Sequence, residues 1–130
     1  MKRGRPKAHY PTESELDVLA ILWDLGSASV AEVRDVLNDR TEYEFAYSTV
    51  LSVLQRLVAK GLAVGQRLGA SNRYGATMKM ATVRDEALFR LVQRFFRTRE
   101  ELIMWLLTER KPPSHLRSRI RALLDRLGAA

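Results

Sequence analysis

The stretch AYSTVLSVLQRLVAK, residues 46–60, decides how the rest of the chain is read. Its apolar residues recur at helical spacing and Gly61 follows it, which predicts a helix over 46–60. At about 100° per residue, Val50, Val53, Leu54 and Leu57 fall on one side. Ser48, Ser52, Gln55 and Ala59 point the opposite way, with Thr49 and Arg56 on one flank and Leu51 on the other. The outward face is therefore small, polar and cationic, and it carries no acid. Ordinary solvent-facing helix surfaces are rich in Glu and Lys, so this one reads as a face for a DNA groove. Small side chains let the backbone approach, hydroxyls and an amide pair with base edges, and arginine reads guanine or anchors phosphate. Tyr47 and Ser48, at the helix start, add a hydroxyl and open backbone N–H groups where a phosphate would sit.

Two helices are expected upstream. Thr12 and Glu15 form a T-x-x-E capping pattern ahead of Leu16, Leu19, Leu22 and Trp23, and Gly26 ends that segment. Ser29 and Glu32 repeat the device before Val33, Val36 and Leu37, and DRTEYEF (39–45) reads as a polar connector. Downstream, LAVGQRLGASNRYGAT (62–77) alternates glycines with short apolar runs and predicts a hairpin with its tip between Gly69 and Asn72. Three helices followed by a basic hairpin are the plan of a winged helix-turn-helix. Arg67, Asn72 and Arg73 are the expected wing contacts to DNA.

After Met80 the texture changes. VRDEALFRLVQRFFRTR (83–99) is a longer amphipathic helix, Thr98 and Glu101 cap a second one, and Pro112-Pro113 break the chain before a third expected to be capped by Ser114. These last 50 or so residues are too few for a core of their own, yet they carry wide apolar stripes. Packing against a second copy resolves the conflict. The expected seam consists of Leu88, Leu91, Val92, Phe95, Phe96, Leu102, Trp105, Leu106, Leu116, Ile120, Leu124 and Leu127. The fold class is thus mainly α with a small β-hairpin wing: a basic arm (1–11), a winged helix-turn-helix (12–79) and a three-helix dimerisation region (80–130).

Charge distribution agrees. The 130 residues carry a net charge of +7, but residues 12–46 hold two cations against nine carboxylates. From Phe45 to Arg84 there is no Asp or Glu, as a phosphate-facing surface requires. The chain has no cysteine, so disulfides, thiolate metal sites and thiol catalysis are excluded. His9 and His115 lie far apart in no ligand spacing, and carboxylate pairs such as Asp85-Glu86 and Glu100-Glu101 sit where helix dipoles explain them. Neither an enzyme nor a metal or cofactor is expected. No apolar run approaches a membrane span, no signal-peptide core follows the basic start, and the expected compartment is the cytoplasm.

With these residues in view, ESELDVLAILWDLG, SVAEVRDVLN and AYSTVLSVLQRLVAKGLA together resemble the penicillinase-repressor family (the BlaI/MecI type), continuously over residues 12–64 and more loosely beyond. The resemblance implies a homodimeric repressor that binds a palindromic operator in double-stranded DNA with its third helix. It makes Tyr47, Ser48, Thr49, Ser52 and Arg56 the groove-facing set. It also brings in a releasing protein, such as a protease, as a candidate partner. The family's wing pattern is kept only as Arg73-Tyr74. The Asn-Phe pair cleaved in its β-lactam branch is absent around Thr98 and Arg99, and the cysteines of its copper-responsive branch are missing.

The N-terminal KRGRPK remains to be placed. It contains RGRP, the core of the AT-hook, in which an extended Arg-Gly-Arg lies in a narrow A·T minor groove. Arg3 and Arg5 are the expected contacts of such an arm, the alternative being a solvated tail. The rival to an operator-binding repressor is a non-specific architectural DNA-binding protein, which needs the basic balance and the arm but not the polar third-helix face.

Overall fold

A computed structural model describes residues 10–109 and 111–128. Six helices and one hairpin follow in the order α1 (Glu13–Leu25), α2 (Val30–Arg40), α3 (Tyr47–Ala59), β1 (Ala63–Leu68), β2 (Ser71–Ala76), α4 (Met80–Phe95), α5 (Arg99–Glu109) and α6 (Ser114–Gly128). The chain divides into two compact units, with the boundary between Asp85 and Glu86.

In the first unit both capping boxes form. The Thr12 hydroxyl accepts from the Glu15 N–H while the Glu15 carboxylate accepts from the Thr12 N–H, and Ser29 and Glu32 do the same for α2. Gly26 ends α1 with φ of +82°, a left-handed conformation that favours glycine. Asn38 bonds both the N–H (2.7 Å) and the carbonyl (3.3 Å) of Phe45, so the α2–α3 connector is closed from its ends and sets where α3 starts. The apolar stripes of the three helices meet in one core: Val18, Leu19, Ile21 and Leu22 from α1, Val33 and Leu37 from α2, and Val50, Val53, Leu54 and Leu57 from α3. The four α3 residues are those the periodicity placed inward. Trp23 packs at the edge and donates its indole N–H to the Met78 carbonyl (2.8 Å).

The hairpin is antiparallel, in register from Ala63↔Ala76 to Leu68↔Ser71, which leaves a two-residue loop of Gly69 and Ala70. Gly69 alone is left-handed there (φ +64°), so glycine opens the loop as two-residue hairpins prefer. The wing is sewn to the body by a backbone bridge in which Ala28 and Tyr74 exchange N–H···O bonds of 2.9 and 2.8 Å. Tyr74 is thereby pulled into the core, and opposite it Gly65 presents no side chain.

Several boundaries differ from those read in the sequence. α2 continues through Asp39 and Arg40, where the Arg40 guanidinium pairs with Asp24 of α1, so part of the polar connector is helix. α4 begins at Met80, before the amphipathic stripe. In α5 the Thr98 hydroxyl accepts from Glu101 N–H as expected, but the return bond goes to the Arg97 N–H instead of Thr98. Ser114 lies inside α6, whose first bonds run back to the Pro113 carbonyl; Pro113 cannot continue a helix backward, yet its carbonyl is free to accept.

The second unit is of another kind. Val92 is its only fully buried apolar side chain among the described residues, and α5 and α6 bury none. Phe96 and Trp105 stack obliquely with ring centroids 6.0 Å apart.

A Cβ added to Gly65 would stand 3.2 Å from the Tyr74 ring, which is packed against the core. Gly65→Ala is expected to destabilise the protein by about 1–3 kcal/mol, as overpacking does, read as a lower urea midpoint at an unchanged slope.

Candidate nucleic-acid interface

The exposed side of α3 is the surface that the core leaves over. Tyr47, Ser48, Thr49, Ser52 and Gln55 are all solvent-exposed on it, while Leu51 turns partly back against the core. Unlike α1 and α2, α3 has no side-chain cap: its N-cap residue is Ala46. The Thr49 N–H turns back to the Ala46 carbonyl (3.1 Å), and the N–H groups of Tyr47 and Ser48 are left for solvent or a ligand oxygen. Between α3 and the hairpin lie two open clefts of about 400 and 450 Å³, both bordered by Gln55, Asn72 and Tyr74; Arg67 lines one and Ser71 the other. Arg67 and Asn72 face each other across the strands. The structure therefore brings Gln55 and Tyr47 of the helix to the same clefts as Arg67 and Asn72 of the wing, while Ser48, Thr49 and Ser52 are exposed on α3 outside them.

Arg56 and Arg73 are held differently. Arg56 sits on the flank of α3 and donates from Nε to Glu15 Oε2 (3.3 Å), and Lys60 Nζ reaches Glu15 Oε1 (2.7 Å). Glu15 is 1% exposed, so a full carboxylate of α1 is enclosed between Arg56 of α3, Lys60 at the C-cap of α3 and the Thr12 N–H. Arg73 turns away from the wing tip, donating from Nη2 to the Ser27 carbonyl (3.0 Å) and from Nε to the Ser27 hydroxyl (3.3 Å), and pairing with Glu32 (3.0 Å). It fastens β2 to the turn between α1 and α2. Arg3 and Arg5 lie outside the described residues.

The two carboxylates answer to these partners. Burial pushes the Glu15 carboxyl up, but the bonds from Lys60, the Thr12 N–H and Arg56 outweigh it and leave it below its usual range. The Ser29 N–H and the Arg73 guanidinium hold exposed Glu32 below that range too. Sequence reading found both residues as capping glutamates and missed their tertiary role. The only available signal was that the outward cations of an acid-free region need anions from somewhere else.

A penicillinase repressor family model matches residues 11–126 of the chain. The chain belongs to the penicillinase repressor family. With its winged helix-turn-helix fold, this family member is a DNA-binding transcriptional regulator. Among solved structures, the H. salinarum protein RosR, in the complex structure hsRosR-S1, is 17% identical with a TM-score of 0.56, over 92% of this chain and 93% of that one. At this identity the likeness is one of fold. The DNA-binding domain of the repressor BlaI is 22% identical with a TM-score of 0.49, over 59% of this chain and 92% of that domain. A homodimeric winged helix-turn-helix DNA-binding domain from Mycobacterium bovis is 21% identical with a TM-score of 0.46, over 64% and 70%. No curated protein matches the chain. Among the described residues no helix is long and apolar enough to cross a membrane, and no cluster of His, Asp or Glu could hold a metal ion.

Because the folded carboxyl of Glu15 titrates below its unfolded value, the stability it contributes is present at neutral pH and is lost as the pH falls through that lowered value. Urea midpoints followed from about pH 7 to about pH 3 should fall more steeply in the wild-type protein than in Glu15→Gln.

Proposed function

We propose that the chain is a homodimeric repressor that inserts α3 into the major groove of a palindromic operator, with residues 12–79 binding DNA and residues 80–130 joining the protomers. The observation that carries the reading is the exposed face of α3, where Ser48, Thr49, Ser52 and Gln55 stand free of any acidic neighbour on the helix. Hydroxyls and an amide on a helix of small side chains suit base edges, and the uncapped first turn with Tyr47 and Ser48 suits a phosphate. Arg67 and Asn72 of the wing would follow the backbone or the minor groove beside it.

The basic arm fits the same picture. It precedes Thr12, whose N–H shares the Glu15 carboxylate with Arg56 of α3 and with Lys60, the C-cap of α3. Arg3 and Arg5, in RGRP, would take an adjacent A·T minor groove. On this reading the protein acts by binding DNA in the cytoplasm, and a protease or other releasing protein is a candidate partner.

Dimerisation is supported by what a single protomer exposes. Leu88, Leu91, Phe95, Trp105, Leu106, Leu116, Leu124 and Leu127 are exposed, with Phe95 at 71%, while Phe96, Leu102 and Ile120 are half-covered and only Val92 of the expected seam is buried. Monomeric proteins rarely leave so much apolar surface in water.

Selection of bound DNA with the full chain should return a palindrome with half-sites about one helical turn apart. A variant lacking residues 1–8 should bind that site more weakly and with a flatter salt dependence; broad A·T-rich binding without a dyad would make the protein architectural instead. Phe95→Asp should sediment as a monomer, and dimers of this variant at micromolar concentration would refute the seam.

A further inference from the structure

Arg56 is caught between two demands. It belongs to the face assigned to DNA, yet it is bonded to a buried carboxylate of α1. How it is bonded resolves the conflict. A planar guanidinium offers donors in two pairs: Nε with one terminal nitrogen, side-on, and the two terminal nitrogens, end-on. Glu15 takes only Nε, through Oε2 at 3.3 Å. Among the described residues neither terminal nitrogen of Arg56 has a hydrogen-bond partner, and the side chain is 51% exposed. Arg73 is the contrast, since its Nη2 is already engaged by Ser27 and Glu32.

We propose that Glu15 is a positioning residue for DNA recognition: by holding Arg56 at Nε it aims the end-on pair of terminal nitrogens outward, toward paired acceptors on DNA. Two acceptors on DNA share that chemistry, the O6/N7 edge of guanine and the two free oxygens of a phosphate. The inference rests on the reading that α3 enters the groove.

Three features make Glu15 suited to the task. Its own position is fixed by the capping bond from the Thr12 N–H at 2.9 Å, and it is almost wholly enclosed. Its other oxygen is occupied by Lys60, so the carboxylate cannot swing away to follow the arginine. A long, flexible side chain is thus ordered before DNA arrives, and less ordering is left to be done on binding.

Charge and positioning predict opposite signs, which makes the idea testable. Glu15→Gln makes the chain more cationic by one, and charge alone would tighten DNA binding. Positioning requires that operator binding weaken. Affinities of the full chain for the selected operator, and for the same site with each base pair changed, should be measured for wild type, Glu15→Gln, Arg56→Ala and the double variant, with folding checked by circular dichroism. We expect Glu15→Gln and Arg56→Ala each to lose about tenfold, with the double variant no worse than Arg56→Ala. Loss confined to one base pair of each half-site identifies a guanine edge; equal loss at every sequence identifies a phosphate. Should Glu15→Gln not fold, Glu15→Asp keeps the charge but withdraws the carboxylate by one methylene, and the same coupled loss is expected. Additive losses in the double variant, or tighter operator binding by Glu15→Gln, would overturn the proposal while leaving operator recognition intact. A wild-type chain that selects no site would remove the reading beneath it.

Discussion

The carboxylate of Glu15 is the constraint on which the first unit turns. It is cut off from water, and an unpartnered charge in such a place costs several kcal/mol, a large share of the roughly 5–15 kcal/mol that keeps a domain folded. The group must therefore be met on both oxygens. The Thr12 N–H, Lys60 and Arg56 do so, and two of these three come from α3 and its C-cap. Apolar packing presses α3 against α1 but allows it to slide, because hydrophobic contact is not directional. The ionic bonds are directional, and they pin the register and rotation of α3 against α1. The apolar stripe decides which face of α3 is buried, and the ionic bonds add a fixed point on its flank.

The same economy appears at α2. Each capping glutamate satisfies its own helix start and then reaches an arginine far along the chain: Glu15 takes Arg56, and Glu32 takes Arg73. The consequences differ. Arg73 is used up in holding the wing to the body, together with the backbone exchange between Ala28 and Tyr74, so the wing's free cation is Arg67. Arg56 is held by Nε alone and keeps its outer donors. Two residues that look alike in the sequence are thus held differently, one on three partners and one by a single nitrogen.

The second unit obeys a different rule. Its helices carry apolar residues as well spaced as those of the first unit, but they have no shared interior to put them in. A core needs enough chain to wrap around it, and about 45 residues in three helices fall short. The apolar faces are therefore left as surface in one protomer, where burial against another copy would recover the hydrophobic stabilisation that the unit lacks internally.

Local physics made much of this legible in advance. The capping boxes at Thr12 and Ser29 act within four residues, the inward stripe Val50, Val53, Leu54 and Leu57 follows from helical period, and the acid-free span from Phe45 to Arg84 is a matter of composition. Helix ends were less legible where a tertiary partner extended or shifted them, as Asp24 does for Arg40. The Ser114 cap failed because the Pro113 carbonyl already starts α6. Side-chain allegiance was not legible at all. Glu15 and Arg56 stand 41 residues apart, and nothing within either segment says that they meet. By itself the sequence determined the elements, the inward faces and the polar character of the outward one, because those depend on neighbours along the chain. Only the tertiary structure decided which arginine braces the wing and which is held on the flank of α3 with its outer donors open, because an ion pair is settled by distance in space.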